Sequence, residues 1–188
     1  MSSSYKTIYW GLLVLAFNFY LGNINVLPDF LGFIMISKGL KELGDVIYEA
    51  EYFTKAKVIS NLMIVITLIQ YIIGMYIDDS AINFTRIGVA FFTIGNFINV
   101  ITLAIIYYIL KGLYLDAENR NLTVFMEKIN NVWNFKLVVS LITFLACAFS
   151  INAGDFTLII MPIVAMIGII AQIKVAFVVK EAGKKLSL

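Results

Sequence analysis

Long apolar stretches separated by short polar segments make up most of the chain. Polar and apolar residues do not alternate in them as they would in barrel strands, so the pattern predicts helices. The predicted spans are residues 7–25, 28–43, 58–77, 86–112, 135–151 and 156–179. The sequence therefore predicts an all-α integral membrane protein. It forms a single transmembrane domain with six transmembrane helices, arranged as three hairpins.

The first predicted hairpin is the shortest of the three. Thr7 to Leu43 is 37 residues, which at ~1.5 Å per residue is just enough for two crossings of a ~30 Å hydrocarbon core. Pro28 suits the start of a helix, and the carboxylate of Asp29 suits its positive end. The alternative is a re-entrant pair of half-helices.

The composition makes lipid the expected surroundings of the chain. Of the 188 residues, 61% are apolar and only 14% are charged, whereas a soluble domain is usually about 25% charged. The expected partner is therefore a lipid bilayer. The net charge of +2 gives no electrostatic basis for binding nucleic acid.

The sequence contains no histidine, the commonest general base and metal ligand. It also shows no cluster of carboxylates within the apolar stretches. We therefore predict that the protein is not an enzyme and that it has no cofactor and no metal site. Its single cysteine, Cys147, lies inside an apolar stretch, where packing is the expected role.

Lysine and arginine are distributed unevenly between the two sides of the six-span arrangement. Thirteen of the 14 fall on one side, and Arg86 alone falls on the other, together with four of the 12 acids. Cytoplasmic loops collect basic residues. Both chain termini are therefore predicted to be cytoplasmic, with the membrane crossed several times.

A ligand-binding pocket is predicted at the outer mouth of the first hairpin. If the first helix continues past Gly22, Asn18 and Asn25 share a face with Asp29. In the fourth span, Asn96 and Asn99 belong to a polar strip that could complete the pocket. The alternative is that Asp29 only balances a helix N-terminus and that the asparagines hold helices together by hydrogen bonds.

Small residues predict close helix packing at two places. Gly32 lies in the first hairpin, and Ala165, Gly168 and Gln172 share a face of the last span. Small side chains let neighbouring helices approach closely in membranes.

Residues 116–131 are predicted to be a long loop that contains a weak amphipathic helix. Its apolar side chains recur at Leu122, Phe125, Ile129 and Trp133. Such a stripe could lie in the membrane interface or pack on neighbouring loops.

The segment 26–43, VLPDFLGFIMISKGLKEL, resembles small multi-pass membrane proteins of low-GC Gram-positive bacteria that carry an LPDF-x-G hairpin motif. The matching positions are Leu27, Pro28, Asp29, Phe30, Leu31, Gly32, Phe33, Gly39 and Leu40. This resemblance implies a membrane hairpin and no particular activity.

Two functional hypotheses follow from the polar residues. In the first, the protein binds or transports a small solute through the outward-facing pocket. In the second, it is a structural or regulatory membrane subunit that acts through a protein partner and has no ligand of its own. A structure can discriminate between them, because a cavity favours the first hypothesis and a filled bundle favours the second.

Overall fold

The computed structural model describes residues 3–17, 20–21, 24–25, 28–45, 50–76, 86–150 and 156–186. In these ranges the chain forms six helices. They are α1 (Ser3–Ala16), α2 (Asp29–Gly44), α3 (Ala50–Tyr76), α4 (Arg86–Asn119), α5 (Thr123–Ser150) and α6 (Phe156–Lys185). The all-α prediction is confirmed. Two paired strands of two residues each, β1 (Tyr20–Leu21) and β2 (Ile24–Asn25), lie between α1 and α2.

Four of the described helices are long and apolar enough to cross a membrane. Their candidate segments are Glu51–Gly74, Ile94–Asn119, Thr123–Phe149 and Ile159–Lys185. Large apolar side chains point outward along these helices, as expected when lipid is the solvent. Among them are Leu62 in α3, Phe97 in α4, Leu145 in α5 and Met166 in α6.

The helices form a closed ring in chain order. Each helix contacts the next one along the chain, and α6 returns to contact α1. Neighbours run in opposite directions, as Lys128 in α5 pairs with Glu181 near the end of α6. The ring of Tyr9 in α1 contacts the ring of Phe177 in α6 at a tilted angle. The two ends of the described chain therefore lie at the same end of the ring.

The first hairpin is held together by direct backbone contact. A Cβ added at Gly11 would lie 2.7 Å from the carbonyl oxygen of Gly32, and one added at Gly39 would lie 2.7 Å from that of Ser4. Only glycine permits so close an approach, because any side chain would overlap the facing helix. Gly32 thus lies in a tight contact between α1 and α2.

The structure corrects the predicted end of the first helix. The helix does not continue to residue 25, because α1 ends at Ala16 and Tyr20 pairs with Asn25 in an antiparallel ribbon. Asn25 is therefore in a strand and does not continue the helix that the expected face required.

The predicted loop 116–131 is also corrected. Helix α4 runs to Asn119 and α5 begins at Thr123, so the connection is only three residues long. Asn121 there has a φ of 54°, a left-handed conformation that asparagine tolerates better than most residues. Phe125 and Ile129 are buried in the bundle, which explains the apolar stripe as core packing.

Candidate functional site

A cavity of about 320 Å³ lies between α1, α4, α5 and α6. From α4 it is lined by Asn96, Asn99 and Thr102, and from α5 by Lys136, Ser140 and Thr143. Each set is spaced by three or four residues, so its members share one face of their helix. Two polar faces therefore meet across the cavity inside otherwise apolar helices.

The other two helices supply small and apolar walls. Helix α6 contributes Ala165, Gly168 and Gln172, and α1 contributes Leu15 and Ala16 from its last turn. Helix α1 ends at this point of the cavity wall. The α6 wall borders open space, since a Cβ added at Gly168 would have no described heavy atom within 4 Å.

The cavity lies deep along the helices. Asn99 follows the start of α4 by 13 residues and Gly168 follows the start of α6 by 12, which at ~1.5 Å per residue is ~20 Å and ~18 Å from those ends. A ~30 Å hydrocarbon core that began at those two helix ends would place the cavity near its middle.

One end of the ring, here called the lysine-rich end, carries Lys128 near the start of α5 and Lys184 and Lys185 at the end of α6. Packed apolar side chains close this end. Ile8 and Leu12 in α1, Ile109 in α4 and Val175 and Val179 in α6 are all fully buried between the cavity and that end. Protein interiors of this kind are close-packed. These side chains therefore form a packed layer between the cavity and that end.

Only part of the predicted ligand site lies at this cavity. Asn96 and Asn99 line it, but Asp29 does not. Asp29 lies half-buried in the first turn of α2, after Pro28 at the N-cap. The side chain of Asn25 and the whole of Asn18 lie outside the described residues. Among the described residues, this cavity thus brings together the α4 asparagines of the predicted pocket without Asp29.

Two residues of the predicted packing face of α6, Ala165 and Gly168, lie at the cavity. Ala165 is exposed, and a Cβ added at Gly168 would have no described heavy atom within 4 Å. These two residues therefore border open space and do not mediate a close helix contact. Gln172 is only 5% exposed, yet it lines the cavity as well.

Sequence reasoning missed the contribution of α5. The predicted span 135–151 places Lys136 at its start, on the basic side, but α5 begins at Thr123 and Lys136 lies well inside it. The available signal was the spacing of Lys136, Ser140 and Thr143 at i, i+4 and i+7 in an apolar stretch.

Two of the cavity's hydroxyl groups are already used as donors within their own helices. Thr102 donates to the Ile98 carbonyl at 2.8 Å, and Thr143 donates to the Val139 carbonyl at 2.8 Å. Their oxygen lone pairs remain available as acceptors. Among the described residues, no group of histidine, cysteine and acidic side chains is placed to hold a metal ion.

Comparison of the chain with protein-family models, with curated proteins and with solved structures finds no match.

Proposed function

We propose that this protein is a multi-pass protein of the bacterial cytoplasmic membrane that binds, and could move, a small solute in the cavity between α1, α4, α5 and α6. The observation that carries the proposal is the meeting of two polar helix faces around a cavity of about 320 Å³ at mid-depth. Binding sites for small molecules are typically concave spaces of ~300 Å³ or more with a few convergent polar groups. Polar faces at that depth would be costly against lipid.

The access route is proposed to lead to the side of the membrane away from the lysines. The packed layer of Ile8, Leu12 and Ile109 separates the cavity from the lysine-rich end. Basic residues mark the cytoplasmic side. The cavity would therefore open outward, and both chain termini would be cytoplasmic.

The length of the first hairpin favours the re-entrant alternative over two complete crossings. Helix α1 has 14 residues and α2 has 16, about 21 Å and 24 Å at ~1.5 Å per residue, and both fall short of ~30 Å. Non-helical backbone at membrane depth is tolerated where it is buried in protein or lines a wet cavity. Helix α1 ends at the cavity wall, where Leu15 and Ala16 line it.

Cysteine accessibility tests the proposal directly. In a Cys147→Ala background, Asn99→Cys places a thiol on the cavity wall, whereas Phe97→Cys places one on the outer surface of the same helix, where the native side chain is 65% exposed. A charged, membrane-impermeant thiol reagent applied to intact cells should label Asn99→Cys. It should leave Phe97→Cys unlabelled, because that position faces lipid and a thiolate does not form there.

Other labelling patterns would contradict the proposal. If Asn99→Cys reacts only in inverted vesicles, the cavity opens to the cytoplasm and the outward route is wrong. If it reacts from neither side, the polar faces form a dry helix contact. In that case the subunit hypothesis is favoured, and purification in mild detergent should recover one stoichiometric membrane partner.

A further inference from the structure

The residues that line the cavity include a basic side chain and no acidic one. Lys136 is the ionisable amine on its wall, and no aspartate or glutamate is among the lining residues. The ion pairs formed within the described ranges involve other lysines, such as Lys128 with Glu181 at 2.6 Å and Lys55 with Glu51 at 2.6 Å. Lys136 therefore faces the cavity with no carboxylate beside it in the part of the chain that the structure describes.

The depth of Lys136 makes this unusual. It follows Lys128 by eight residues in α5, and Lys128 pairs with Glu181 toward the lysine-rich end. At ~1.5 Å per residue, Lys136 lies ~12 Å deeper. Lysines within membrane-spanning helices usually pair with another group or face a water-filled space.

Gln172, another residue of the cavity wall, carries a second donor. The residue is 5% exposed, and its buried Nε2 has no hydrogen-bond partner among the described residues. A buried N–H group without an acceptor is costly, so buried amides are normally paired with protein, water or ligand. Both the ammonium of Lys136 and the amide of Gln172 require an acceptor.

We infer that the cavity between α1, α4, α5 and α6 binds an anion, such as the carboxylate or phosphate group of a small molecule, through the ammonium of Lys136 and the Nε2 amide of Gln172. A charge-assisted hydrogen bond from lysine to an anion is stronger than one between neutral groups. The oxygens of Thr102 and Thr143 are placed to accept hydrogen bonds from hydroxyl or amino groups on the same molecule.

The size of the cavity limits the ligand. Its volume of about 320 Å³ lies at the lower end of the ~300–1,000 Å³ range that is typical of small-molecule pockets. Leu15, Leu103 and Phe144 are also on its wall, so a short apolar segment is accommodated. This inference rests on the proposed function, since it names the class of solute that the proposed site would take.

The test compares carboxylates with amides of the same shape. Purified protein in nanodiscs of zwitterionic lipid is titrated with benzoate against benzamide, with lactate against lactamide and with inorganic phosphate, while thermal unfolding is followed. A ligand that binds only the folded state raises the Tm. The acids, but not the amides, should raise the Tm of the wild type.

Variants of two lysines on the same helix supply the matched comparison. Lys136→Gln should raise the apparent Kd for the acids by about tenfold or more, and Lys136→Arg should retain binding, because the lost interaction is charge-assisted. Lys128→Gln should bind like the wild type, since Lys128 pairs with Glu181 and does not line the cavity. Gel filtration and the ligand-free Tm confirm that each variant is folded.

A final comparison separates a soluble anion from a lipid headgroup. If only nanodiscs that contain phosphatidylglycerol stabilise the wild type, and Lys136→Gln abolishes the effect, the anion belongs to a lipid and the anion inference is supported. The inference is overturned if amides bind as well as acids, if Lys136→Gln binds the acids normally, or if neither acids nor the anionic lipid bind. None of these results bears on the labelling of Asn99→Cys, which tests the cavity itself.

Discussion

The contact between α1 and α2 yields the sharpest prediction about stability. A Cβ at position 39 would lie 2.5 Å from Cγ1 of Ile8 and 2.7 Å from the backbone oxygen of Ser4, where ordinary contact begins at 3.4 Å. The shortfall against the Ser4 oxygen is 0.7 Å. A side chain can rotate away, but a backbone carbonyl moves only if α1 moves.

Gly39→Ala should therefore separate α1 from α2 and destabilise the protein. Overpacking of a tight contact typically costs ~1–3 kcal/mol, and ~1.4 kcal/mol is a tenfold change in an equilibrium constant. Alanine also favours the helix by about 1 kcal/mol relative to glycine, so a net loss of ~0–2 kcal/mol is expected at this position.

Gly74→Ala is the matched control. Gly74 lies in α3, and a Cβ added there has no described heavy atom within 4 Å. Only the gain in helix propensity applies, so this variant should be as stable as the wild type or more stable. The difference between the two alanine variants isolates the packing term of ~1–3 kcal/mol.

The single cysteine provides the assay. Cys147 is 7% exposed in the folded protein, so its reaction with a thiol-reactive fluorophore during heating in detergent reports unfolding. Gly39→Ala should react at a lower temperature than Gly74→Ala. If the two variants react at the same temperature, α1 and α2 do not touch at Gly39 and the proposed geometry of the first hairpin is wrong.

Three further predictions concern individual side chains. Tyr5→Phe removes a buried hydroxyl group that has no hydrogen-bond partner in the described chain, so stability should be unchanged or rise by about 1 kcal/mol. Burial, and next the charge of Asp116, raise the pKa of the Tyr5 phenol above its ordinary value of 10.0. Above that pH only the unfolded state readily loses the proton, so the wild type should lose stability faster than Tyr5→Phe in alkaline melts. Glu181→Gln breaks the ion pairs with Lys128 and Lys185 and should cost about 1 kcal/mol or less, measured by the same melts, since the lysines are partly exposed. Asp29→Asn should lower the stability by ~0.3–1 kcal/mol, because it removes a negative charge from the helix N-terminus. Solute binding should be unchanged, because Asp29 does not line the cavity. If a titration shows that binding is lost, Asp29 belongs to the site after all.

The candidate site was only half predictable. Asn96 and Asn99 could be identified because polar residues three apart in an apolar helix share a face. Lys136 could not be placed, since its role depends on where α5 begins, and helix ends are the least certain feature of a pattern. Gln172 could be placed on the same helix face as Ala165 and Gly168, but the sequence pattern does not tell whether that face packs on a neighbouring helix or borders a cavity.

The sequence by itself determined the helical class, the apolar surface that suits lipid and the collection of basic residues at alternate helix ends. These follow from local composition and periodicity, which act within one helix. Only the tertiary structure decided that α1 stops at Ala16, that Gly11 and Gly39 bring α1 against α2, and that Lys136 and Gln172 border one cavity. Those features depend on which helices become neighbours, and that is set by packing between residues far apart in the chain.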